Sequence, residues 1–135
     1  MSTDHTALIQ QTMPLCATLD ISAERLDAAA VVLTMPWSAE RCSIGRALHG
    51  GALMALADSA GAAAAAANLP DGAIGTSTIE SKTNFLGAAT DGVAVATARV
   101  LHAGSTTIVV ETEIRAGDRL VAKTTQTQIV LRPRP

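Results

Sequence analysis

The longest apolar stretch of the 135-residue chain runs from 50 to 67, GGALMALADSAGAAAAAA. Alanine is the strongest helix former, and NLPDG at 68–72 is a stop. The pattern predicts one helix over 50–67. It is apolar on nearly every side, so it belongs in the interior. One charged residue, Asp58, interrupts it. Downstream the pattern changes. Segments 74–86, 92–102, 106–115 and 120–131, the last three rich in Val and Thr, read as strands separated by glycine-containing turns. Upstream, residues 3–13 read as a short helix entered from Ser2, Thr3 or Asp4 and stopped before Pro14. Residues 15–21 read as a strand, 22–27 as a hairpin connection and 28–35 as a second strand ending at Pro36. Residues 37–48 read as a loop with room for one helical turn. The sum is one α+β domain over 1–135, a long central helix wrapped by a six-stranded antiparallel sheet, with a short N-terminal helix.

Composition narrows the picture. The chain is 48% hydrophobic and 16% charged, with a net charge of −2, a globular balance that excludes a disordered or polyanion-binding protein. Trp37 and Phe85 are the only aromatics. The core must come from Ala, Val, Leu and Ile, each burying little area, so such a domain would gain from oligomerisation. Cys16 and Cys42 are isolated and read as reduced thiols of a cytoplasmic protein. The first thirteen residues lack the basic region and apolar run of a signal peptide. The apolar run 50–67 carries Asp58 and is mostly alanine, so it reads as a buried helix, with no membrane as partner.

Candidate chemistry gathers at the start of the long helix. Gly50 and Gly51 follow His49. Amides in the first helical turn lack intrahelical partners, and the helix dipole adds partial positive charge. Without side chains a ligand oxygen can approach closely, as in an oxyanion or anion site. The same residues also read as a tight turn into a helix, with His49 as a cap. Asp58 reads either as part of a solvent-facing stripe with Ser59 or Gly51, or as a functional carboxylate, because burying such a charge without partners is costly. It lies roughly 10–12 Å along the axis from the glycines. If both features serve one reaction, the site is shared by two chains. The amides would polarise a carbonyl, and the carboxylate would act on the same carbon as general base or nucleophile. No metal or cofactor is needed, and the histidines lack metal-ligand spacing with the carboxylates or cysteines.

His49-Gly50-Gly51 followed by Asp58, with TIESKTNFLGAA at 78–89, resembles the hotdog-fold acyl-CoA thioesterases. The type is the phenylacetate-pathway and 4-hydroxybenzoyl-CoA group, and the likeness covers nearly the whole chain. The resemblance implies hydrolysis of an acyl-CoA to a carboxylic acid and CoA by a homo-oligomer. A dimer is the minimum and a tetramer is expected. It implies that Gly50 or Gly51 donates to the thioester carbonyl and that His49 shapes that end. Asp58 of the opposite subunit would activate water or attack the carbon, and Thr78, or Ser77 beside it, would position the water. Many relatives carry Asn six residues before the histidine; here that position is Ser43, whose task Arg46 or a water could share. A non-catalytic acyl-CoA-binding module and a hotdog-fold hydratase or dehydratase are the alternatives. Lys82, Arg46 and Arg132 read either as partners of CoA phosphates or as ordinary surface charges.

Overall fold

The computed structural model describes residues 4–135. Three helices, α1 (Thr6–Thr12), α2 (Pro14–Thr18) and α3 (Gly50–Ala66), accompany six strands. The strands are β1 (Ser22–Leu26), β2 (Val31–Pro36), β3 (Gly75–Phe85), β4 (Val93–Ala103), β5 (Thr107–Ala116) and β6 (Arg119–Leu131). They form one antiparallel sheet in the order β1-β2-β4-β5-β6-β3. The sheet curls around α3, which touches β2, β3, β4, β5 and β6. This is the hotdog arrangement.

The long helix and the last four strands lie where the pattern put them, within about two residues. The N-terminal third departs from it. Residues 15–21 are no strand. Pro14 opens α2 at a position where its missing N–H costs nothing, and Cys16 of α2 is buried, as is Ile9 of α1. The expected hairpin connection 22–27 is instead β1, with Ala23 buried. The reversal falls at 27–30, where Asp27 Oδ1 accepts from the amides of Ala29 (2.9 Å) and Ala30 (3.0 Å). The 37–48 loop carries two short 3-10 turns, at Ala39–Arg41 and Ile44–Arg46. Helix α1 begins at Thr6, whose amide donates to Asp4; the other two candidate caps, Ser2 and Thr3, lie outside the described residues.

The core is built from small residues. Ala57, Ala60, Ala64 and Ala65 of α3 face Ala94, Ala96 and Ala98 of β4 and larger side chains such as Leu33, Ile108 and Ile114, all buried. Small faces let helix and sheet approach closely, so packing density substitutes for aromatic area. No helix among the described residues is long and apolar enough to cross a membrane.

Candidate active site

The 37–48 loop delivers the start of α3 at a fixed place. Trp37 N donates to Gly92 O, Leu48 N to Ala89 O, and His49 N to Arg41 O. His49 is extended (φ −58, ψ 135), and its Nδ1 accepts from Gly51 N at 2.8 Å. His49 is therefore the N-cap, and its ring hydrogen sits on Nε2. The amides of Ala52 and Leu53 donate to His49 O. Of the two glycine amides expected to be bare, Gly51's is engaged. Gly50 N alone in this first turn lacks a partner among the described residues. Glycine at both positions has a steric cause. A Cβ on Gly50 would lie 3.1 Å from the Phe85 ring, and one on Gly51 would lie 3.0 Å from His49 Nδ1.

Asp58 is half-buried and faces the sheet. Its Oδ1 accepts from Thr78 Oγ1 at 2.8 Å and from Gln126 Nε2 at 3.1 Å. Gln128 Nε2 donates to Thr78 Oγ1. Oδ2 has no hydrogen-bond partner among the described residues. Of the two expected stripe partners, Ser59 fails, since it is buried and bonds Ala55 O and Cys16; Gly51, seven residues before Asp58 on the same face, is exposed. Burial pushes the Cys16 thiol up, so it stays protonated and is a poor nucleophile.

A bulge brings Thr78 to Asp58. β3 pairs with β6 as Thr78 with Gln128, then Glu80 with Thr127, so one residue is extra at Ile79. Side chains alternate along a strand, so without the bulge Thr78 would share the face of Glu80 and Lys82. With it, Thr76, Thr78, Ser81, Thr83 and Phe85 look inward, opposite Val130, Gln128, Gln126, Thr124 and Ala122. Ser77 is exposed on the other face.

The remaining candidates lie apart from Asp58. Ser43 is exposed in the loop. Arg46 stacks its guanidinium 4.7 Å from the Trp37 ring centroid, and its carbonyl accepts from Trp37 Nε1. Arg132 donates to the carbonyls of Asp71 and Ser105, closing two turns. Lys82 is exposed.

Two residues at the carboxylate escaped the sequence reading. Gln126 and Gln128 are buried, and each leaves its Oε1 without a partner. An orphaned buried acceptor costs about 1–3 kcal/mol. Their signal in the sequence is two glutamines two apart within a strand. β6 alone does not fix which parity faces in, because Val121 and Ile129 stand on one and Ala122 and Val130 on the other. Its neighbour β5 does, since Ile108, Val110 and Ile114 share one buried parity that pairs with Gln128, Gln126 and Ala122.

An apolar cavity of ≈ 470 Å³ opens beside this cluster, between α1 and α3, lined by Leu8, Ile9, Met13, Leu26, Ala62 and Thr76 among others. Ala62 lies one turn beyond Asp58, and Thr76 is the next inward residue from Thr78.

Comparison with known proteins bears on this geometry. A family model described as thioesterase superfamily matches residues 45–123. The chain is 35% identical over 115 residues to protein SSO2140 of Saccharolobus solfataricus, suggested by name to be an esterase, covering 84% of this chain and 81% of that protein. Among solved structures, it is similar to conserved protein PA5202 of Pseudomonas aeruginosa, with TM-score 0.81, 33% identity, and 87% and 93% of the two chains covered. It is also similar to a thioesterase family protein of Silicibacter pomeroyi, with TM-score 0.85, 28% identity, and 95% and 96% covered.

Proposed function

The chain belongs to the thioesterase superfamily, and we propose on that premise that it is a homo-oligomeric acyl-CoA thioesterase of the phenylacetate-pathway or 4-hydroxybenzoyl-CoA type. The observation that carries the reading is Asp58: its Oδ1 is held by two side-chain donors while Oδ2 is left for chemistry, beside an apolar cavity. A bland surface carboxylate needs neither.

The acyl group lies in the cavity under α1, whose size suits a small ligand. The carbonyl oxygen accepts from Gly50 N. Asp58 Oδ2 takes a proton from water as the water oxygen bonds to the carbonyl carbon. The negative charge on the former carbonyl oxygen is met by the Gly50 amide and the helix dipole. When the tetrahedral centre collapses, the C–S bond breaks with its electron pair on sulfur, and the CoA thiolate takes the proton from Asp58. Direct attack by Asp58 would pass through an anhydride that water then opens, with the same products.

One chain cannot do this alone. Gly50 and Asp58 are separated by about 12 Å of helix. Both lie beneath β3, which ends the sheet. That edge strand is eleven residues long, with Ile79 and Phe85 exposed on it. Such an edge is a template for a second copy, which would set its own Asp58 against the first copy's Gly50 amide.

The test is thiol release over aryl, short, medium and long acyl-CoAs. Turnover is expected on an apolar acyl group, falling about 10²–10⁴-fold in Asp58→Asn with the fold kept. Full turnover in that variant overturns the reading. Binding without thiol release indicates the non-catalytic module, and water addition to an enoyl thioester without CoA release indicates a hydratase.

A further inference from the structure

Gln126 and Gln128 are 1% and 0% exposed, each with an orphaned carbonyl oxygen, and both turn their amide nitrogens toward Asp58 and Thr78. We infer that these two glutamines, Gln126 admitted by Gly61, are positioning residues that direct the Thr78 proton onto Asp58 Oδ1 and hold Oδ2 toward the substrate. The inference rests on Asp58 being the acting group, as proposed above.

Hydrogen counting gives the direction. A threonine hydroxyl has one hydrogen and can accept two. Gln128 Nε2 can only donate, so Thr78 Oγ1 accepts there, and its hydrogen is left for Asp58. Gln126 Nε2 supplies Oδ1 with a second hydrogen, and the nitrogen itself lies 3.5 Å from Thr78 Oγ1. Two donors on one oxygen fix the rotation of the carboxylate, and the other oxygen faces away from the sheet donors.

Gly61 is the clearance for this arrangement. A Cβ there would stand 2.0 Å from Gln126 Oε1 and 2.4 Å from its Cδ. Glycine weakens a helix interior, and this one sits in an otherwise alanine-rich helix at the one point where the amide crosses it. It lies three residues from Asp58, on the same side. The small face of α3 here receives a side chain of the same chain. Packing alone would be served better by an apolar side chain, which leaves no orphaned oxygen.

The experiment uses the intact enzyme with Gln126→Met, which keeps length and removes the donor. The thermal midpoint is expected to hold or rise and KM to stay within about twofold. The turnover number kcat should fall about 10- to 100-fold, the usual cost when a partner that orients an active group is lost. In Asp58→Asn the same change should cost nothing further, since the two act as one unit. Gly61→Ala should lower both stability and kcat. Gly61→Ala with Gln126→Ala should regain stability, because the new Cβ takes the amide's room, while kcat stays low. Wild-type kcat in Gln126→Met, with Asp58→Asn inactive, overturns the positioning role alone. A fall in the midpoint of Gln126→Met that accounts for the lost activity makes Gln126 structural and also overturns it. Full activity of Asp58→Asn, or no thioester hydrolysis by the unaltered protein, overturns the catalytic reading and this inference together.

Discussion

At the start of α3 the amides of Gly51, Ala52 and Leu53 all find their acceptors within four residues, on His49 Nδ1 and His49 O. Two turns further on, Asp58 draws its partners from 20 and 68 residues away, and Gln128 reaches Thr78 across 50. The first region follows from helix-terminus physics and needs only a loop to end at the right place. The second exists only when β3, with its bulge, and β6 are both in register. A site joining the two has one half set by local rules and one half set by tertiary structure. Damage to each half should therefore read out differently.

Gly50 tests the local half. Gly50 is the first helical residue, where proline is tolerated because its missing N–H has no intrahelical role, and His49 already has the extended backbone that proline requires of its predecessor. Gly50→Pro is expected to cost about 10²–10³-fold in kcat, the usual toll for an oxyanion donor. Gly50→Ala meets the same Phe85 ring yet keeps the amide, so it isolates the steric part and should cost far less. Equal losses in the two variants would assign the effect to crowding and remove Gly50 as donor. Mixing the chains sharpens this. If each site joins one copy's amide to the other's acid, Gly50→Pro and Asp58→Asn chains reassorted at equal amounts should regain about a quarter of wild-type activity, from the intact site in each mixed dimer. No recovery, with mixed dimers shown to form, would break the shared-site geometry.

The same contrast explains what the sequence made legible. The helix 50–67 and the four strands after it follow from alanine richness, Val/Thr richness and the glycine punctuation, all local signals. So do the His49–Gly50–Gly51 turn and the oddity of Asp58 in an apolar run. The N-terminal region failed because LCATLDI alternates like a strand, while Pro14 and the burial of Cys16 against α3 favour a helix. Gln126 and Gln128 were passed over because polar side chains on a strand are ordinarily assigned to solvent. Their inward direction comes from pairing with β5, whose Val110 and Ile108 lie 16 and 20 residues earlier, beyond a window one strand long. The Ile79 bulge is hidden for the same reason, although it decides which face Thr78 occupies.

A smaller effect separates capping from chemistry at His49. His49→Ala removes the acceptor of the Gly51 amide and should cost on the order of 1 kcal/mol of stability, as the loss of an N-cap acceptor usually does. Turnover should change by less than about tenfold, because the oxyanion donor, Gly50 N, is untouched. Thermal unfolding and kcat on the same preparation distinguish the roles. Lost turnover at unchanged stability would move His49 from the cap into the reaction.

The smallest expected effect lies in the β1–β2 turn, the most local device of all. Asp27 holds the amides of Ala29 and Ala30 and pairs with Arg25 at 2.7 Å. The Arg25 hydrogen bond, helped by the Ala30 amide, lowers its carboxyl from the ordinary value to about 2. A carboxyl whose folded value is depressed adds stability above its unfolded value, about 3.9, and loses it as pH falls toward the folded value. Asp27→Asn keeps an acceptor for the two amides but not the charge. Its thermal midpoint should sit slightly below wild type at pH 7, and the gap should close between about pH 4 and pH 2 as the wild-type carboxylate takes up its proton. Activity should not follow, because nothing in this turn reaches α3's acid. A gap that widens toward low pH, or a turnover loss in Asp27→Asn, would tie this turn to the long-range half of the molecule and break the division between the two.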